Sequence, residues 1–157
     1  MQSVDIRGLE LFDEELNKIL KEFPDARREL HEEFAELLKE EVDTQVDASG
    51  IQDWRGRIKG WQKSVVGSGG GYAAIRPVDT STGDNSPGAI TNYLESGHKI
   101  RRPSGLARRY RSRIRKAYVD GYHFYQKAET RVEAKAIKLA QEFADKLAKR
   151  IEGGSTS

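Results

Sequence analysis

The chain has 157 residues, 36% of them apolar and 33% charged, and no cysteine. That length suits a single domain with a lean core, and the missing cysteine excludes disulfides and thiolate metal sites. The net charge of +2 hides a split: residues 1–50 carry 15 acids against 6 bases, residues 51–120 carry 5 against 14, and residues 121–157 carry 5 against 7.

An acidic front and a basic middle can pair within one chain or head-to-tail between chains. No apolar run approaches the roughly 18 residues of a membrane span. The opening MQSVDIRG does not read as a signal peptide. A soluble protein made in a cytosol is expected.

Val4-Asp5-Ile6 alternates and stops at Gly8, which predicts a short edge strand. Phe12, Leu16, Ile19, Leu20 and Phe23 then recur at helical spacing, and Pro24 ends that run and suits the first turn of the next. Leu30, Phe34, Leu37, Leu38 and Val42 form a second stripe. Helices are predicted near 9–22 and 25–47, with their charged faces in solvent.

Ala48-Ser49-Gly50 breaks the second helix, and Trp54, Arg55, Arg57, Lys59 and Trp61 follow closely. Arginine stacks on indole, so this stretch can bind a partner or a nucleic-acid base. The plainer reading, and the preferred one, is a turn whose two indoles pack on the core edge. Lys63 to Val66 and Tyr72 to Val78 flank a glycine-rich turn, which predicts a hairpin. A phosphate loop would need to feed a helix, and this turn feeds Tyr72-Ala73-Ala74-Ile75, which reads as a strand. Asp79 to Gly88 reads as a surface loop.

Next comes a small turn, Tyr93-Leu94-Glu95, stopped by Gly97-His98. From Lys99 to Lys116 there are nine basic residues and no acid. Leu106, Tyr110 and Ile114 are four apart, so part of this arm fits a short basic helix. So dense a run of like charge orders only against something anionic. Gly121-Tyr122-His123-Phe124 closes the arm. Val132, Ala136, Leu139, Ala140, Phe143, Leu147 and Ile151 then mark a helix from about 125 to 151, ended by Gly153-Gly154.

None of this carries chemistry. His31 lacks the second histidine of a zinc helix, and His98 with His123 lacks a third ligand. The serines have no glycine-framed elbow. The paired carboxylates of 25–47 share their face with lysine and arginine. No enzyme, cofactor or metal is expected. Trp54, Arg57, Trp61, Arg101, Arg102, Arg108, Arg109, Arg111 and Arg113 are the candidate subunit or partner contacts. Tyr93, Leu94, Glu95, Gly97, His98, Gly121 and Phe124 are the candidate structural anchors.

In this order the motifs resemble the tail-component family of tailed bacteriophages, prophages and tailocins, described as neck, tail-completion or tail-terminator proteins. Ile6-Arg7-Gly8-Leu9 is similar to the family's opening strand. Arg55 to Trp61 resembles its block after the helical pair. Asn92-Tyr93-Leu94-Glu95-Ser96-Gly97-His98 resembles its tyrosine–glutamate–glycine–histidine signature, and Val119 to Phe124 its entry to the last helix. The resemblance implies an α+β subunit: a small antiparallel sheet packed by an N-terminal helical pair and a long C-terminal helix, here with an extended basic arm. One domain, 1–152, is expected, with a flexible tail at 153–157. The family implies a ring, six copies in the context of a six-fold tail, located in the virion neck or tail and assembled in the bacterial cytoplasm. Tail-tube, sheath or head-neck proteins would be its partners, and DNA only channel content. The rival reading is a nucleic-acid-binding module using the arm 99–116.

Overall fold

The computed structural model describes residues 4–7, 14–79, 83, 85–100 and 116–154. Arg101, Arg102, Arg108, Arg109, Arg111 and Arg113 lie outside the described residues, as do the expected helix around Tyr110, Phe12 and the tail residues 155–157. The described chain is mixed helix and sheet. In order it forms β1 (Val4–Arg7), α1 (Glu14–Glu22), α2 (Pro24–Ala48), α3 (Arg57–Trp61), β2 (Gln62–Val66) and β3 (Tyr72–Pro77). It continues with α4 (Pro87–Ser96), β4 (Gly97–Lys99), β5 (Tyr118–Asp120) and α5 (Phe124–Gly154). The expected edge strand, helical pair, hairpin and long last helix are all present.

Two antiparallel sheets result. The first has the order β1-β3-β2, and the second joins β4 to β5. Hairpin register sets Ser64 opposite Ile75 and Lys63 opposite Arg76. A period of two sends Ala73, Ile75 and Pro77 to the core, where all three are buried. The glycine turn between β2 and β3 rests on the start of α2. A side chain at Gly70, whose φ is +63°, would press on the Arg28 backbone, and the Arg28 guanidinium donates to the Ser68 carbonyl.

The two long helices build the core over this sheet. Leu30, Phe34, Leu38, Val42 and Val46 recur every four residues and are all buried. Ala128, Val132, Ala136, Ala140, Phe143 and Leu147 answer them from α5. The alanines let the helix axes approach closely. Arg150 donates twice to the Glu29 carboxylate, and Lys135 donates to Glu41 at 2.6 Å. Rising numbers on α2 thus meet falling numbers on α5, so the pair is antiparallel. Burial pushes the Glu41 carboxyl up, but Lys135 and Gln45 hold it below its ordinary range.

Four expectations need correction. Residues 93–95 are a helix, not a turn. Ser86 Oγ accepts from the Ala89 N–H and Pro87 occupies the first turn, so a strong start signal turns the end of the expected loop into α4. Ile19 and Phe23, read as core, are 36% and 42% exposed; among the described side chains of α1, Leu20 takes the fully buried position. Ile151 is likewise exposed in the last turns of α5. Gly153 and Gly154 still lie within α5, so helical geometry continues past residue 152.

Candidate functional site

The most tightly specified place in the molecule is a clasp between α4, the β4–β5 ladder and the start of α5. Gly97 pairs with Asp120, His98 with Val119 and Lys99 with Tyr118. One further bond, from the Ile100 N–H to the Ala117 carbonyl at 3.0 Å, carries the ladder outward to the roots of the basic stretch. Gly97 has φ +79° and ψ 177°, a region essentially confined to glycine. A Cβ on Gly97 would overlap the Val119 carbonyl oxygen, and a Cβ on Gly121 would overlap that of Glu95. Both glycines are needed for two backbones to approach this closely.

The clasp also satisfies two helix ends reciprocally. The last carbonyls of a helix lack intrahelical partners. Leu94 and Glu95 carbonyls accept from the N–H groups of Tyr122 (2.7 Å) and His123 (3.1 Å). His123 adopts φ +55° to make this turn. In return the buried Glu95 carboxylate accepts from the N–H groups of Tyr125 (2.9 Å) and Gln126 (3.2 Å). A carboxylate there faces the positive end of the α5 dipole. Tyr118 adds a bond from its hydroxyl to the Ser96 carbonyl at 2.6 Å.

A buried polar chain ties the clasp to the sheet. The Tyr125 hydroxyl donates to Gln62 Oε1. Gln62 Nε2 donates to Thr91 Oγ1 and to the Ile58 carbonyl, each at 3.0 Å. Burial, and then the charge of Glu95, push the Tyr125 phenol well above its ordinary range. It therefore stays a neutral donor. One side chain each from β2, α4 and α5 thus lock together, and every member has a partner.

Beside the clasp lies an open groove of about 530 Å³, with Ile51, Ile58, Ile90 and Leu94 as its apolar lining and Trp61 and Tyr122 beside them. Asp53 starts α3 by accepting from the Ile58 and Lys59 N–H groups. Arg57 lies on the groove, its guanidinium 5.8 Å from the Trp61 ring centroid, within cation–π range. Trp61 is half-buried, but Trp54 is 87% exposed. The reading in which both indoles pack on the core edge fails for Trp54, because α2 has ended at Ala48 and Trp54 sits in the turn before α3.

Of the expected anchors, Phe124 and Glu95 are buried and Leu94 is half-buried. Gly97 and Gly121 act as described. Tyr93 and His98 are not buried anchors. Tyr93 is 37% exposed and its ring lies 5.2 Å from that of the exposed His98. Leu94, one residue on, takes the inward position on α4. Of the candidate contacts, Arg57 and Trp61 line the groove and Trp54 stands exposed in the turn before α3, while the arginines of 101–115 lie outside the described residues.

Sequence reasoning missed Gln62, Thr91 and Tyr125, whose joint burial has no local pattern. It also missed that His31 is buried. His31 Nδ1 donates to the Arg27 carbonyl at 2.8 Å, and its ring meets Phe34 edge-on. Its Nε2 has no partner among the described residues. Burial holds this imidazole below its ordinary pKa. Among the described residues there is no group of three or more potential metal ligands, and no helix is long and apolar enough to cross a membrane.

Comparison with protein-family models, with curated proteins and with solved structures returns no match to this chain.

Proposed function

We propose that this chain is a structural subunit of a phage or tailocin tail, forming a ring at the head-proximal end that completes the tail and joins it to the head. The clasp is the observation that carries this reading. The two blocks that resemble the tail-component family, 92–98 and 119–124, meet there, and they fasten both roots of the most basic stretch to the core. A capping ring needs a rigid frame and a charged extension that reaches a neighbour. The described residues supply such a frame, and the sequence from Lys99 to Lys116 carries nine basic residues and no acid.

The test is electron microscopy of purified particles carrying a label on this subunit. A ring of label at the head-proximal tail end is expected. Particles without the label, from cells that express it, would overturn the reading. Reversing Arg108, Arg109, Arg111 and Arg113 to glutamate should leave the subunit folded but stop it joining tails.

A second reading, nucleic-acid binding, draws on the 87% exposure of Trp54 beside the exposed Arg55 and Arg57. A salt titration with duplex DNA separates the two. A dedicated binder gives a steep dependence of log affinity on log salt as an isolated subunit. A ring subunit gives weak binding without sequence preference.

A further inference from the structure

We infer that the outward face of the hairpin, at Lys63 and Arg76, docks on the acidic outer stripe of α2 in a second copy of this chain. This deepens the ring reading by naming a contact, and it rests on that reading only for self-association.

The first surface is set by register. Lys63 and Arg76 are directly opposed on β2 and β3, and both are exposed. Like charges directly opposed across two strands destabilise a sheet. Neither has an acidic partner among the described residues. Their strand neighbours on the same face, Val65 and Ala74, are half-buried and buried, and Tyr72 at the strand end is 39% exposed. The face is thus a small apolar floor with two cations at one end that have no acidic partner among the described residues.

The second surface is its complement. At about 100° per residue, Glu32, Glu36 and Glu40 lie on the side of α2 opposite Phe34, Leu38 and Val42. All three are exposed. The acids flanking them are already engaged: Glu29 by Arg150, Asp43 by Lys39 and Asp47 by Lys59. Glu32, Glu36 and Glu40 have no cationic partner among the described residues. They span about 12 Å along the helix, at 1.5 Å per residue. Two opposed cations on neighbouring strands, about 5 Å apart at their Cα atoms, can each reach a separate carboxylate.

The two surfaces differ, and α2 packs its core face, not its acidic one, against the sheet. A copy that offers its hairpin to a neighbour's α2 therefore keeps its own α2 free for the next. Such a heterologous contact propagates and closes into a ring when the rotation permits. Single exposed ion pairs contribute little. A cluster facing an opposite cluster also steers encounter and fixes register.

The contact is tested by charge exchange in the full chain. One variant carries Lys63→Glu and Arg76→Glu; the other carries Glu32→Lys, Glu36→Lys and Glu40→Lys. Circular dichroism first checks that both fold. Mass photometry and sedimentation then follow assembly at about 50 to 500 mM salt, where the Debye length shrinks severalfold. The wild type is expected to assemble at low salt. Each variant alone should associate at least about tenfold more weakly. Mixed in equal amounts they should assemble again, because each mixed contact pairs opposite charges. Wild-type assembly that neither reversal weakens overturns this contact and leaves the ring reading standing. Folded variants that stay apart when mixed also overturn it. A wild type that is monomeric at every salt overturns both. So does a monomer that instead binds duplex DNA through Lys63 and Arg76.

Discussion

Replacing Glu95 with alanine tests the clasp directly. Glu95 is 3% exposed and its carboxylate accepts the second and third N–H groups of a 31-residue helix. Truncation removes two bonds to a charged acceptor, each of which contributes about 1.5–3 kcal/mol net. Two effects reduce that sum. Gln126 is exposed, so water recovers its N–H. A buried carboxylate has its own desolvation cost, which the variant escapes. Tyr125 is buried, so its N–H is left without a partner, at about 1–3 kcal/mol. Losing the charge at the helix start adds about 0.3–1 kcal/mol. A net loss of about 2–4 kcal/mol follows, or very roughly 5–12 °C in Tm for a domain of this size. Glu95→Gln keeps one acceptor but turns a donor toward the other N–H, and should fall between the wild type and alanine. Urea titration gives the free energy, and hydrogen exchange should show faster exchange at Tyr125 and Gln126 than elsewhere in α5. If Glu95→Ala keeps its denaturation midpoint and both amides stay protected, the carboxylate is not the cap and the argument fails.

Two further outcomes are expected. Phe124 is fully buried, so Phe124→Ala should cost about 3–5 kcal/mol, whereas Tyr93→Ala, at a 37% exposed position, should cost under about 1 kcal/mol; equal losses in paired urea titrations would refute the assignment of Phe124 on α5 to the core and of Tyr93 on α4 to the surface. His31 titrates lower in the folded chain than its ordinary 6.5 because it is buried, and Arg27 disfavours its charge further although its bond to the Arg27 carbonyl favours it. The unfolded chain thus binds the proton first, so the contribution of His31 is complete above about pH 6.5 and is lost as pH falls toward the lowered folded value. Stability measured from pH 8 to 5 should fall, and His31→Phe should flatten that fall; a wild-type slope unchanged in the variant would show that other groups cause it.

The sequence by itself determined the elements whose signal is local. Leu30, Phe34, Leu38 and Val42 are four apart, and so are Val132, Ala136, Ala140 and Phe143, apart from one step of three; periodicity alone places both long helices. Pro24 marks where α1 gives way to α2, and the glycine turn marks the hairpin. Gly97, Gly121, Glu95 and Phe124 were legible as fixed points because glycine and aromatic clusters bracket the basic stretch. What they do was not legible. The Glu95 carboxylate caps a helix that begins 29 residues later, and the Gly97 backbone needs room for a strand that returns at Tyr118. Bonds across such separations depend on how the chain closes, and no window of neighbouring residues contains them. The same holds for Gln62, Thr91 and Tyr125, which are polar or amphipathic residues in three separate segments. Their burial is affordable only because the fold brings donors and acceptors together. Tyr93 and Trp54 show the converse. Composition marks a large aromatic side chain as core, but a helix phase and a turn left these two in solvent, since only packing decides which face of α4 and which side of the α2–α3 turn is covered.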